Sequence, residues 1–213
     1  MTVPAGLRRF LEAPPAAALG ERCEMCAEPL DGRHGHVAAL RDRAVMCTCR
    51  GCYLLFTAEG AAGGRFRAVP ERYLYDPAFP ITEALWDALA IPVRMVFFFH
   101  NSDLDRTVAF YPSPAGATES ELDLGAWTEI QARNPAFADL AADVEALLLH
   151  RHGDGYECFL LPIDACYELV GLVRMHWRGF DGGERAHDEI DAFFARLRER
   201  GRDVGGTGEG GDA

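Results

Sequence analysis

Apolar positions recur with a helical period in two stretches of the second half of the chain. Cys166, Leu169, Val170, Val173 and Trp177 follow i, i+3, i+4, i+7 and i+11, and Ile190, Phe193, Phe194 and Leu197 repeat that period. The pattern predicts one helix capped by Asp164 and ended by Gly179–Gly183, and another from about Glu184 to Arg200. A third helix is expected from Thr82, as N-cap, through Leu85, Trp86 and Leu89. A fourth spans Leu124 to Asn134 and stops before Pro135. Residues 5–12 read as a short amphipathic helix halted by Pro14-Pro15, and residues 13–20 as a linker.

Strands are read from shorter apolar runs. Ile91–Phe99 pairs with Arg106–Tyr111 across Asn101-Ser102-Asp103, and Val144–Arg151 pairs with Tyr156–Ile163 across His152-Gly153-Asp154-Gly155. Nearer the N-terminus, Val37–Arg41 and Ala44–Met46 form a hairpin turning at Arg41-Asp42-Arg43. Gly60–Gly64 breaks the pattern, and residues 64–70 alternate like a half-exposed strand. Pro112–Thr118 is expected to be an irregular loop, and the acidic, Gly-rich tail from Gly201 to be disordered. The fold class is α+β: a zinc-ribbon or rubredoxin-like module at 21–65, preceded by residues 1–20, joined to a four-stranded antiparallel sheet with flanking helices at 66–200, then a tail at 201–213.

Composition agrees with a globular chain, at 49% hydrophobic and 10% aromatic residues. No run reaches the roughly 18 apolar residues of a membrane span, and Met1–Pro4 carries no charged start to a secretory leader, so a cytoplasmic location is expected. The net charge of −12 disfavours a nucleic-acid partner, although Arg33, Arg41, Arg43, Arg50, Arg65 and Arg67 gather near the cysteines. All 21 basic residues are Arg, which excludes a Walker A loop, a Schiff-base nucleophile and a pyridoxal-phosphate anchor.

The most specific chemistry lies between Cys23 and Cys52, where five of the seven cysteines fall. Two Cys-x-x-Cys pairs, Cys23/Cys26 and Cys49/Cys52, flank an arm carrying His34 and His36. In a reducing compartment this spacing points to a metal, because each pair aims two sulfurs at one spot and two pairs complete a tetrahedron. Cys23, Cys26, Cys49 and Cys52 are the expected ligands, with Cys47 a possible substitute for Cys49. His34 and His36 are candidates for hydrogen-bond donors to the thiolates, or for ligands of a second ion with Cys47, against the plainer reading of polar hairpin residues. One zinc ion is expected and one iron ion is the alternative: rubredoxin-type knuckles place Gly after the second cysteine, whereas Ala27 and Tyr53 stand there.

Elsewhere the candidates are weaker. Cys158 and Cys166 read as core thiols. His150, His152 and Asp154, and likewise His100, Asp103 and Asp105, offer acid–base or metal chemistry but border hairpin turns, so solvated tips are expected. No hydrolase elbow, His-Glu-x-x-His or dinucleotide loop is present, so an enzyme is not the leading expectation.

Several phrases together resemble a known but uncharacterised family: Arg22–Ala27, His34–His36, Met46–Phe56, Phe110–Ser120 and Trp177–Gly183. Members of that family tend to be encoded beside the high-affinity uptake nickel–iron hydrogenases of actinobacteria. The resemblance implies a cytoplasmic accessory to hydrogenase assembly or electron flow, with a hydrogenase subunit or maturation factor as protein partner. It also makes Pro112–Ser120 a candidate docking surface. A one-electron carrier with iron in the same cage, and an enzyme acting around His100 and His150, are the competing readings.

Overall fold

The computed structural model describes residues 21–120 and 124–205. The helix and linker expected over residues 5–20 lie outside the described residues, as does the tail beyond Gly205. Two sheets organise the chain. The smaller has three antiparallel strands in the order β2-β1-β3, with β1 at Gly35–Ala39, β2 at Ala44–Thr48 and β3 at Phe66–Ala68. The expected hairpin is therefore present. β3 returns across Gly60–Gly64 to pair with β1, so strand pairing of this sheet runs past residue 65.

The larger sheet has seven strands, not the expected four, in the order β10-β4-β9-β8-β5-β6-β7. Its four central strands are the predicted ones: β5 (Met95–Asn101), β6 (Arg106–Ser113), β8 (Glu145–His152) and β9 (Gly155–Pro162). Three short outer strands complete it: β4 (Leu74–Asp76), β7 (Gly116–Ser120) and β10 (Arg202–Asp203). All pairings are antiparallel except β10 on β4. The stretch expected as an irregular loop, Pro112–Thr118, is instead the β6–β7 turn, with Pro112 opposite Ala117. The expected disorder from Gly201 also does not hold at its start, since Arg202-Asp203 joins the sheet and Val204 is buried.

Helix α1 (Arg50–Leu54) belongs to the cysteine stretch, and α2 (Glu83–Ala88), α3 (Leu124–Ala132), α4 (Ile163–His176) and α5 (Glu184–Arg200) cover the large sheet. Thr82 caps α2 as predicted, its hydroxyl accepting the Leu85 N–H at 3.2 Å. The cap of α4 differs: Pro162 holds that position, and Asp164 in the first turn is turned toward His36.

The sheet is covered on both faces. Leu148, Phe159 and Phe97 face α4 and α5 and pack with Leu169, Phe193 and Phe194. Leu147, Leu149 and Phe98 face the other way, onto Trp86, Trp127 and Phe137. This explains why β8 reads Leu-Leu-Leu rather than alternating, since a strand with two dry faces has no polar side to keep. Cys158 and Cys166 lie fully buried, one on each side, as core thiols should. Ala38 and Val69 of the cysteine-bearing region enter the same core as Phe194, and Arg67 Nη1 donates to the Ala142 carbonyl at 2.9 Å. The small sheet is thereby packed against the large one.

Candidate metal centre

The two Cys-x-x-Cys pairs fold differently. The first is a tight turn closed by the bridge Arg22–Pro29, in which Cys23 N–H donates to Glu28 O and Ala27 N–H to Cys23 O, both at 2.8 Å. Ala27 adopts φ +62°, the left-handed conformation that the position after a knuckle cysteine demands and that glycine meets at no steric cost. Ala27→Gly is expected to leave metal binding intact and to change stability by less than about 1 kcal/mol, relief of strain opposing the added chain entropy. Parallel urea and metal titrations of both proteins check this, and a lost metal equivalent would contradict it.

The second pair is not a second knuckle but the start of a helix. Cys49 is the N-cap of α1 in extended conformation (φ −68°, ψ 162°), and its sulfur accepts the Cys52 N–H at 3.5 Å. The helix places Cys52 beside its own cap. The same helix splits the apolar run Tyr53-Leu54-Leu55-Phe56 between two faces. Tyr53 and Phe56 turn inward, while Leu54 and Leu55 are 50% and 67% exposed. The Tyr53 ring lies so close over Gly35 that a Cβ there would sit 2.6 Å from it, and its hydroxyl donates to Val69 O.

Together these elements bring Cys23, Cys26, Cys49 and Cys52 to one place, with all four sulfurs within 4.8 Å of one another and Cys26 Sγ 3.6 Å from Cys49 Sγ. A tetrahedral ion with metal–sulfur bonds near 2.3 Å needs sulfurs about 3.8 Å apart, so the four cysteines fit one metal ion after a small contraction. Cys23 is buried and Cys26 exposed. Burial pushes the Cys23 thiol up, but N–H groups of Cys49, Cys26 and Met25 aimed at its sulfur bring it down to about 6. Cys52 is pushed up to about 12, first by its hydrogen-bonded neighbour Cys26 and then by burial. One sulfur of the group thus ionises readily and another resists until a cation arrives.

Cys47 lies outside the four-cysteine group and gathers with His34 and His36, whose donor atoms and its own lie within 4.8 Å of one another. Its N–H donates to Glu24 Oε2 at 2.5 Å and its carbonyl accepts the Glu24 N–H at 2.9 Å, tying β2 to the knuckle. His36 Nδ1 lies 2.6 Å from Asp164 Oδ2, and that hydrogen bond raises the imidazole above its ordinary value against the opposing effect of burial.

Among the histidines of the large sheet, His150 departs from expectation. His150 is not a solvated tip: it is buried, stacks on Phe194 at 3.7 Å between centroids, and has Nδ1 2.8 Å from Glu157 Oε1. It sits two residues after Leu148 on the same strand face, the periodicity that would have revealed it. His152 is exposed, as are Asp154 and the turn residues Asp103 and Asp105. His100, at the edge of that turn, reaches Asp105 only at 3.6 Å.

No helix among the described residues is long and apolar enough to cross a membrane. No curated protein and no solved structure matches the chain. One family profile does, over residues 22–201, which covers the small sheet, every strand of the large sheet except β10, and every cysteine, and the chain therefore belongs to a family of unknown function, DUF5947.

Proposed function

We propose that this protein is a cytoplasmic metal-binding accessory that docks on a partner and supports assembly or electron flow of an uptake nickel–iron hydrogenase. The convergence of four sulfurs from a knuckle and a helix start is the observation that carries this reading. In it, Cys23, Cys26, Cys49 and Cys52 hold one zinc ion in a ribbon-like module that the larger α+β domain carries. A closed shell of four thiolates suits a structural ion, which leaves the surroundings of the site to make the contacts. Leu54 and Leu55, exposed directly after Cys52, supply an apolar contact for a protein partner. The hydrogenase itself is suggested by the resemblance alone.

The second reading is a one-electron carrier with iron in the same cage. It is favoured by the peptide N–H groups directed at Cys23 and by the exposure of Cys26, since hydrogen bonds to sulfur and solvent access set the potential of iron–thiolate centres. Protein purified without oxygen separates the two by elemental analysis and absorption. Zinc at one equivalent or more with a colourless solution supports the first, and a red solution that bleaches on reduction supports the second. Neither ion at that ratio overturns the metal assignment. Quantitative co-purification with the hydrogenase from the native cell, compared with an unrelated bait, tests the partner, and no enrichment refutes it.

A further inference from the structure

We propose that His34, His36 and Cys47 form a second metal site, distinct from the four-cysteine centre, which takes one divalent transition ion on two imidazole nitrogens and a thiolate and leaves a coordination position open. The backbone sets up the triad. His36 lies opposite Cys47 in the β1–β2 ladder, and His34 precedes His36 by two residues, with the rings edge-to-face at 4.9 Å. The three donor atoms lie within 4.8 Å of one another, as ligands to one ion must.

The hydrogen bonds say which nitrogens are free. His36 Nδ1 is held by Asp164 Oδ2 at 2.6 Å, and His34 Nδ1 by the Asp31 carbonyl at 3.2 Å. A ring that donates its Nδ1 proton presents an unprotonated Nε2, and a carboxylate or carbonyl on the far nitrogen is the support that metal-binding histidines carry. His34 Nε2 is buried with no hydrogen-bond partner. A buried nitrogen without a donor or acceptor is costly, and an ion satisfies it. The other histidine cluster, His150, His152 and Glu157, lacks this character, because both Glu157 oxygens are taken by Arg198, with His150 and Tyr75 adding further donors.

Two imidazoles and a thiolate select zinc, cobalt, nickel or copper over magnesium or calcium. Three protein ligands, rather than four, are the mark of a site that exchanges water for a ligand. Access exists: His34 and His36 line a cavity of about 210 Å³, and His36 and Cys47 line one of about 680 Å³. Arg200 and Asp164 border both cavities, with Arg33 and Glu71 at the first and Arg43 and Glu168 at the second, so the lining carries balanced charge and water is the ligand expected at the open position.

The test is an oxygen-free titration of metal-stripped, full-length protein with cobalt(II), followed by zinc(II). Wild type is expected to take two equivalents per chain. His36→Ala and Cys47→Ser are each expected to take one, with the four-thiolate cobalt bands unchanged, and those bands report in the same sample that the module is folded. Asp164→Asn should keep both equivalents and weaken the second by about 10–100-fold. X-ray absorption of zinc-loaded wild type should show nitrogen as well as sulfur neighbours. A single equivalent in wild type, two equivalents in the His36→Ala/Cys47→Ser double variant, or an all-sulfur shell overturns the proposal. Loss of the four-thiolate bands in wild type would instead count against the first centre, so the two failures are distinguishable.

Discussion

Cys49→Ser is expected to abolish stoichiometric metal binding at the four-cysteine centre and to make the segment from residue 21 to about 68 sensitive to protease. Cys49 has two roles, as the cap of α1 and as the sulfur 3.6 Å from Cys26. Serine is a good N-cap, so the substitution keeps the first role while removing the second. Any loss of order in the variant therefore reports the ion rather than the helix. Structural zinc contributes on the order of 10–16 kcal/mol in small zinc-finger peptides, and the small sheet here has only three strands of three to five residues. Elemental analysis of the purified variant and limited proteolysis with and without added zinc make the comparison. A full equivalent of metal in Cys49→Ser would remove it from the ligand set. Acid should release the ion reversibly, because protons compete for every thiolate and the raised Cys26 and Cys52 thiols recover theirs readily.

The second large effect lies beneath α5. Glu157 is 2% exposed, yet it accepts from Arg198 Nη2 at 2.6 Å, Arg198 Nε at 3.0 Å and Tyr75 OH at 3.0 Å, with His150 Nδ1 at 2.8 Å. Burial pushes its carboxyl up, but hydrogen bonds from His150 and Arg198 more than offset this and hold it at about 2, against an ordinary value of 4.5. Glu157→Gln leaves the Arg198 charge without its partner and is expected to cost about 3–5 kcal/mol in urea unfolding at neutral pH. Replacing both residues by apolar ones of similar size, as in Glu157→Leu with Arg198→Met, should recover most of that loss. The pH dependence has a definite sign. Because the folded carboxyl is the stronger acid, its stabilisation is complete above about 4.5 and is lost as pH falls through about 2. His150, lowered by burial, adds loss in the same direction, beginning below its ordinary 6.5. A Glu157→Gln penalty under about 1 kcal/mol, or an unchanged acid limb of the stability curve, would show that the network is incidental.

Local signals carried much of this far. The hairpins around residues 40, 103 and 154, the Thr82 cap and the two C-terminal helices are written in neighbouring residues and were legible. What was not legible depends on partners distant in sequence. β4 and β10 are three and two residues long and are strands only because β9 and β4 lie beside them. Pro112 argued for a loop, yet a strand tolerates proline where its missing N–H is not needed. The seven-stranded width followed from the same blindness. At the candidate metal centre, spacing picked out the four cysteines that the fold gathers but not the helix that presents two of them, since Arg50–Leu54 is too short to show a period. Asp164, read as a cap, turned out to serve a histidine 128 positions earlier, a contact that no local pattern encodes.

Ala38 and Val69 are cemented into the interior that also holds Phe194, so the cysteine region is not an independent bead on a string. If the four cysteines hold the ion proposed above, a chain without it would loosen at that seam and expose apolar surface of the main body to quality-control proteases. Cellular metal supply would then govern how long each copy survives, and the protein's abundance would itself register whether the ion had been delivered.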